Sequence, residues 1–114
     1  MKVQYLEIIT PNVDATCESY STLHNAIFSD CEPSLGNART AKLSNGGVIG
    51  IRAPLREDET PVTRPYFLVE NIQEAVEKSA ADGAEIAVLP MVLPGHGTCA
   101  IIIQGGIESG FWQL

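Results

Sequence analysis

Tyr5 and Glu7 stand two apart in an alternating, β-branched run over residues 3–10, and Arg64 and Tyr66 stand two apart where a second such run begins. Side chains two apart on a strand share a face, so each pair is aimed one way. A buried Glu7 beside an arginine has the makings of a general base, and Arg64 those of an oxyanion or carboxylate clamp. The plainer alternative is a Glu7–Arg64 ion pair that does no chemistry. Phe111 and Trp112 alternate near the C-terminus, so one of them faces inward. An aromatic there suits stacking on a planar ligand, core packing or a dimer contact. His96 lies in the tight turn Pro94-Gly95-His96-Gly97, either as a gate or proton donor or as a surface histidine. Arg39 and Arg52 fall on predicted strands and suit an anionic group, although Arg52 near Pro54 equally suits a solvated edge.

Other familiar sites are missing from the sequence. There is no Gly-x-Gly-x-x-Gly or phosphate-binding loop, no Gly-x-Ser-x-Gly elbow and no Cys-x-x-Cys. Cys17, Cys31 and Cys99 are odd in number and widely spaced, which predicts reduced thiols, with Cys17 and Cys99 as small core residues. The net charge of −7 argues against a nucleic-acid partner and against an anionic membrane surface. The N-terminus runs straight into a strand pattern without an apolar leader, and no stretch is apolar enough to span a bilayer. A cytoplasmic location is the expectation. With 45% hydrophobic residues, a chain of 114 is enough for one domain with a buried core.

The elements that must position these residues come twice. Asn45-Gly46-Gly47-Val48 is echoed by Gln104-Gly105-Gly106-Ile107 at an offset of 59, and the same offset pairs Asn12-Val13 with Asn71-Ile72 and Ala41 with Ala100. In the first half, the spacing predicts a strand over 3–10 and then a helix capped by Asn12 with Val13, Cys17, Tyr20 and His24 on one stripe. A short strand near Ile27-Phe28 and two strands over 38–43 and 48–53, joined through Asn45-Gly46, follow. In the second half, a strand over 65–69 leads to a helix capped by Asn71 and stopped at Gly83. Strands over 85–89, 98–103 and 107–114 complete it. Residues 54–61 have the charged, proline-bearing composition of a linker. The expected architecture is α+β: two tandem βαβββ modules, about 1–55 and 62–114, forming a curved mixed sheet with a central cleft.

Two such modules in this length, with Tyr5-Leu6-Glu7-Ile8 before Pro11-Asn12-Val13, the run from Arg64 to Ile72 and the ending Gly105-Gly106-Ile107-Glu108-Ser109-Gly110-Phe111-Trp112-Gln113, resemble the glyoxalase / bleomycin-resistance / dioxygenase (vicinal oxygen chelate) superfamily. The closest likeness is to uncharacterised glyoxalase-like members with this ending. The resemblance implies that Tyr5, Glu7, Arg64 and Tyr66 converge on one cavity, with His96 and Trp112 as further ligand-binding residues and Glu7 as the candidate catalytic group. It also implies a homodimer. Metal-using members carry one ligand on the first and last strand of each module. At the offset of 59 those places are Tyr5, Arg64, Ile51 and Gly110, none suited to a divalent ion: a phenol of reference pKa about 10, a guanidinium and two side chains without donors. Glu108 has the parity of Gly110 and is the one acidic residue able to rescue a metal site. The expectation is a small-molecule-binding protein without a cofactor. The alternative is a lyase, isomerase or hydroxylase using Glu7, or using a divalent metal through Glu108.

Overall fold

The computed structural model describes residues 1–114. The protein is α+β, with two helices and the eight strands of a mixed sheet. In chain order these are Val3–Ile9 (β1), Val13–His24 (α1), Cys31–Glu32 (β2), Ala38–Lys42 (β3), Val48–Arg52 (β4), Val62–Leu68 (β5), Ile72–Ala81 (α2), Glu85–Leu93 (β6), Gly97–Gln104 (β7) and Ile107–Gln113 (β8). The order β-α-β-β-β therefore occurs twice. Two compact units result, residues 5–63 and residues 64–114 together with 1–4.

In the unit 5–63 the strand order is β2-β3-β4-β1, with β1 parallel to β4 and the other neighbours antiparallel. Helix α1 carries Val13, Cys17 and Tyr20 at helical spacing, and this stripe meets Ile8, Ala41, Ile49 and Ile51 from the strands. Ile51 is fully enclosed; burying such a side chain stabilises by roughly 1.5–3 kcal/mol. Asn12 precedes α1, but its side chain makes no capping bond; its carbonyl accepts from the Thr16 N–H and hydroxyl instead. The expected strand at Ile27-Phe28 does not form. Asn25 ends α1 in the left-handed region at φ 55°, Ala26 and Phe28 turn into the core, and ladder pairing with β3 begins only at Cys31 opposite Arg39.

In the other unit the order is β5-β8-β7-β6, with β5 parallel to β8. Ile72 and Val76 of α2 pack on Ala100, Phe111 and Ile86. Asn71 caps α2 as expected, its side-chain oxygen accepting the Glu74 N–H at 3.0 Å. The N-terminal residues join this unit through the Lys2 carbonyl, which accepts the Leu68 N–H at 2.8 Å.

The repeat is not free of gaps. The first hairpin closes with the Leu43 N–H on the Gly47 carbonyl around three residues. The second closes with Gln104 opposite Ile107 around two, Gly105 and Gly106, both at positive φ, as a tight primed turn requires. Glu7 lies opposite Gly50, whereas Tyr66, 59 residues on, lies opposite Gly110, which is 60 beyond Gly50. The counterpart of Gly110 is therefore Gly50 and not Ile51. A slip of one residue reverses a strand's faces, and Ile51 indeed points into the core under α1.

Candidate functional site

In each unit one strand face packs on the helix and the opposite face carries the polar residues singled out above. In the unit 5–63 that face presents Tyr5, Glu7, Gly50 and Arg52. Arg52 lies on a strand paired on both sides, which buries it, so it is not the solvated edge residue its nearness to Pro54 suggested. Its Nε donates to Glu7 Oε2 at 2.9 Å. Its Nη1 and Nη2 donate to the two oxygens of Glu59 at 2.8 and 2.9 Å, and Nη1 also reaches the Ala53 carbonyl at 3.2 Å. Glu59 in turn accepts the Leu55 N–H at 2.7 Å, which ties the stretch between β4 and β5 back on itself. Bonding to Arg52 holds the Glu59 carboxyl down at about 2. Burial works against the Arg52 charge, but its bonds to Glu59 and Glu7 outweigh this and raise its pKa further. Tyr5 leans over Gly50, where an added Cβ would fall 1.7 Å from its hydroxyl. Burial first, and the Glu7 charge second, push the Tyr5 hydroxyl above its ordinary pKa, with Arg52 only partly opposing.

In the other unit the corresponding face presents Arg64 and Tyr66 from β5 and Glu108, Gly110 and Trp112 from β8. Arg64 Nη2 and Glu108 Oε1 are 2.5 Å apart, with the arginine side chain 9% and the glutamate side chain 40% exposed. The Tyr66 ring covers Gly110, where a Cβ would meet ring carbons at 2.1–2.7 Å, and it meets Trp112 edge-on with centroids 5.7 Å apart. The indole N–H donates to the His96 carbonyl at 3.1 Å, so His96 reaches this group through its backbone. The chain ending is explained residue by residue. Gly110 seats Tyr66, Phe111 turns to the α2 core, Trp112 faces the polar side, and Gln113 Oε1 accepts the Ile72 N–H at 2.8 Å at the start of α2. Across β7, Ile101 and Ile103 lie opposite Gly110 and Glu108 and are half-buried on the same face.

Tyr5 and Glu7 thus come together in one unit, and Arg64, Tyr66, Trp112 and the His96 backbone in the other. Arg39 is absorbed by structure, bonding Asp14 at 2.9 Å and the Ser29 carbonyl at 3.0 Å. The sequence reading missed Glu59, hidden in a stretch whose charge suggested only a linker, and it missed Gly50. The parity of Tyr5 and Glu7 carried a signal for Gly50 once the hairpins were allowed to differ in length. It also missed the apolar flank of Ile101 and Ile103, which an unbroken apolar run conceals.

The places that the resemblance reserves for metal ligands, with the register corrected, are Tyr5, Arg64, Gly50 and Gly110. The two glycines are seats for tyrosine rings, the phenol resists ionisation, and the guanidinium repels a cation. Glu7 and Glu108 each bond an arginine, and no three His, Cys, Asp or Glu side chains gather. The residues present do not fit a divalent cation.

No family model and no curated protein matches the chain. Solved structures do. A hypothetical protein, BH1468, of Bacillus halodurans C-125 superposes with a TM-score of 0.80 at 15% identity, over 99% of this chain and 94% of that one. Methylmalonyl-CoA epimerase of Mycobacterium tuberculosis gives 0.76 at 14% identity, over 96% and 85%. A variant of the Streptomyces coelicolor methylmalonyl-CoA epimerase in complex with 2-nitronate-propionyl-CoA gives 0.73 at 16% identity, over 99% and 96%. At these identities the likeness establishes the fold, which is glyoxalase-like.

Proposed function

We propose that the chain is a member of the glyoxalase / bleomycin-resistance / dioxygenase superfamily that binds a small organic molecule without a metal, on the strand face turned away from α2. The observation that carries this reading is Arg64, a guanidinium buried on a strand face. Even paired with Glu108, a charge in such a place is costly to desolvate, and a fold alone is better served by apolar residues, as on the α2 side. Tyr66 and Trp112 shape the floor beside it, and the His96 turn closes the end at Trp112. Tyr5 and Glu7 belong to the same reading, as ligand-facing groups on the strand face of their own unit turned away from α1. The fold supports it, since structures of similar fold hold an acyl-CoA analogue.

A second reading, an isomerase acting through Glu7, is favoured by the epimerases among the similar structures. Against it, Glu7 Oε2 already accepts a charge-assisted bond from Arg52, which favours the carboxylate staying ionised. A homodimer belongs to the proposal as well, because the edge strand β6 exposes Leu89 and Val92. A cytoplasmic site of action also belongs to it; no helix is long and apolar enough to cross a membrane.

Thermal-shift screening against a broad metabolite panel, with turnover assays and elemental analysis of the purified protein, tests these readings. Stabilisation by a compound class without turnover is the expected result. Silence across the panel, or a stoichiometric transition metal, sinks the first reading. Turnover abolished by Glu7→Gln establishes the second.

A further inference from the structure

Two of the three thiols lie in the unit 5–63, on one face of its strands, and a single arginine connects the elements that carry them. Arg39 on β3 reaches across to α1, where its Nη1 donates to Asp14 Oδ1 at 2.9 Å, so its side chain is on the helix-covered face. Cys31 on β2 is directly opposite Arg39 in the antiparallel ladder, and directly opposite residues share a face. Cys17 lies one helical turn beyond Asp14. It belongs to the core cluster that holds Ala41, two residues along β3 from Arg39 and so on that same face. Cys17 is buried and Cys31 exposed, both as free thiols. Burial pushes the Cys17 thiol up and the Arg39 guanidinium pulls against this; the Cys31 thiol is close enough to act on it as well.

We propose that Cys31 and Cys17 form a reversible redox pair, in which a hydroperoxide oxidises Cys31 and Cys17 resolves it as a disulfide. The roles follow from exposure. The thiolate is the attacking species, and a neighbouring cation favours it; Cys31 faces Arg39 and lies open to a small oxidant. Cys17, enclosed and kept protonated by burial, is inert until an activated sulfur comes to it. In the first step the Cys31 thiolate attacks one peroxide oxygen. The O–O bond breaks, an S–O bond forms, and the hydroxide that leaves takes a proton to become water. In the second step the Cys17 sulfur attacks the Cys31 sulfur. The S–S bond forms, the S–O bond breaks, and the departing hydroxide leaves as water with the Cys17 proton. The two sulfurs together give up two electrons, which the peroxide takes. The closing movement falls to β2, a strand of two residues at the sheet edge with β3 alone beside it. A disulfide requires Cα atoms within about 7 Å, and so short an edge strand shifts at little cost. The pair lies on the strand face opposite to Tyr5 and Glu7, so it stands apart from the small-molecule reading.

The test exposes the intact wild-type chain to stoichiometric hydrogen peroxide, then alkylates the remaining thiols in denaturant and reads intact mass and a peptide map. Cys99, buried in the other unit, is the internal reference. The expected product is a monomer lighter by about 2 Da, the two hydrogens lost. Cys17 and Cys31 should then resist alkylation, Cys99 should accept it, and dithiothreitol should restore the original mass. In Cys17→Ala the Cys31 sulfenic acid should persist for capture by dimedone, and in Cys31→Ser the Cys17 thiol should survive the peroxide. Should either variant not fold, the wild-type map alone decides. Cys31 carried to sulfinic or sulfonic acid beside an intact Cys17 thiol overturns the pair. A Cys31–Cys31 cross-linked dimer, oxidation of Cys99 ahead of Cys31, or three unchanged thiols overturns it equally.

Discussion

Arg52 and Arg64 occupy the same kind of place, a strand face turned away from the helix of their unit, and differ in what the chain wraps around them. Glu59 comes from a segment between strands that folds back to enclose Arg52. Glu108 stands on the strand beside Arg64 and is 40% exposed. Arg52 is met by two buried carboxylates, whereas the Glu108 that meets Arg64 is partly exposed. Two equally buried guanidinium groups can thus be met by carboxylates of very different exposure.

That contrast can be broken most easily at Arg52. Arg52→Met takes a buried charge partner from both Glu7 and Glu59 and should cost about 3–5 kcal/mol, read by urea denaturation; a loss below about 1 kcal/mol would place the two arginines in one class. Acid should undo the same cluster. The Glu59 pKa falls from 4.5 to about 2 on folding, so its contribution is present above pH 4.5 and fades as the pH drops toward 2. It is at most about 3 kcal/mol, and Glu59→Gln should flatten that part of the stability–pH curve. Gly110→Ala drives a methyl into the Tyr66 ring and should cost about 1–3 kcal/mol. Tyr66→Ala in the same chain should restore much of the loss if the glycine is a seat for that ring. Smallest of all is Glu108→Gln, expected to change stability by less than about 1 kcal/mol; a change as large as that of Arg52→Met would make the Arg64–Glu108 pair as structural as the Arg52 cluster.

Much of the architecture was readable from the residues. Alternation, the glycine-bearing hairpins and Asn71 located most elements, because those signals act within a few residues. What failed depended on distance along the chain. Ile27-Phe28 looked like a strand since apolar residues serve a core equally well from an irregular segment. The Ile51 assignment assumed two hairpins of equal length, and a single residue of difference turned it to the other face. Arg52 looked peripheral beside a proline, yet strands on both sides enclose it. Tyr66 and Trp112, which the resemblance named as ligand-binding residues, meet edge-on from β5 and β8. The partners of Arg52 could not be named in advance, since Glu7 lies 45 positions away and nothing local marks Glu59 among its acidic neighbours.

The bond from Leu68 to Lys2 gives the chain a temporal order. On the ribosome, Lys2 emerges before Leu68 and waits until Leu68 has been made, several seconds at about 5–20 residues per second. Residues 5–63 are all synthesised within that interval. The segment at Lys2 is thus held in reserve while residues 5–63 are completed, and its pairing waits for the half of the protein made last.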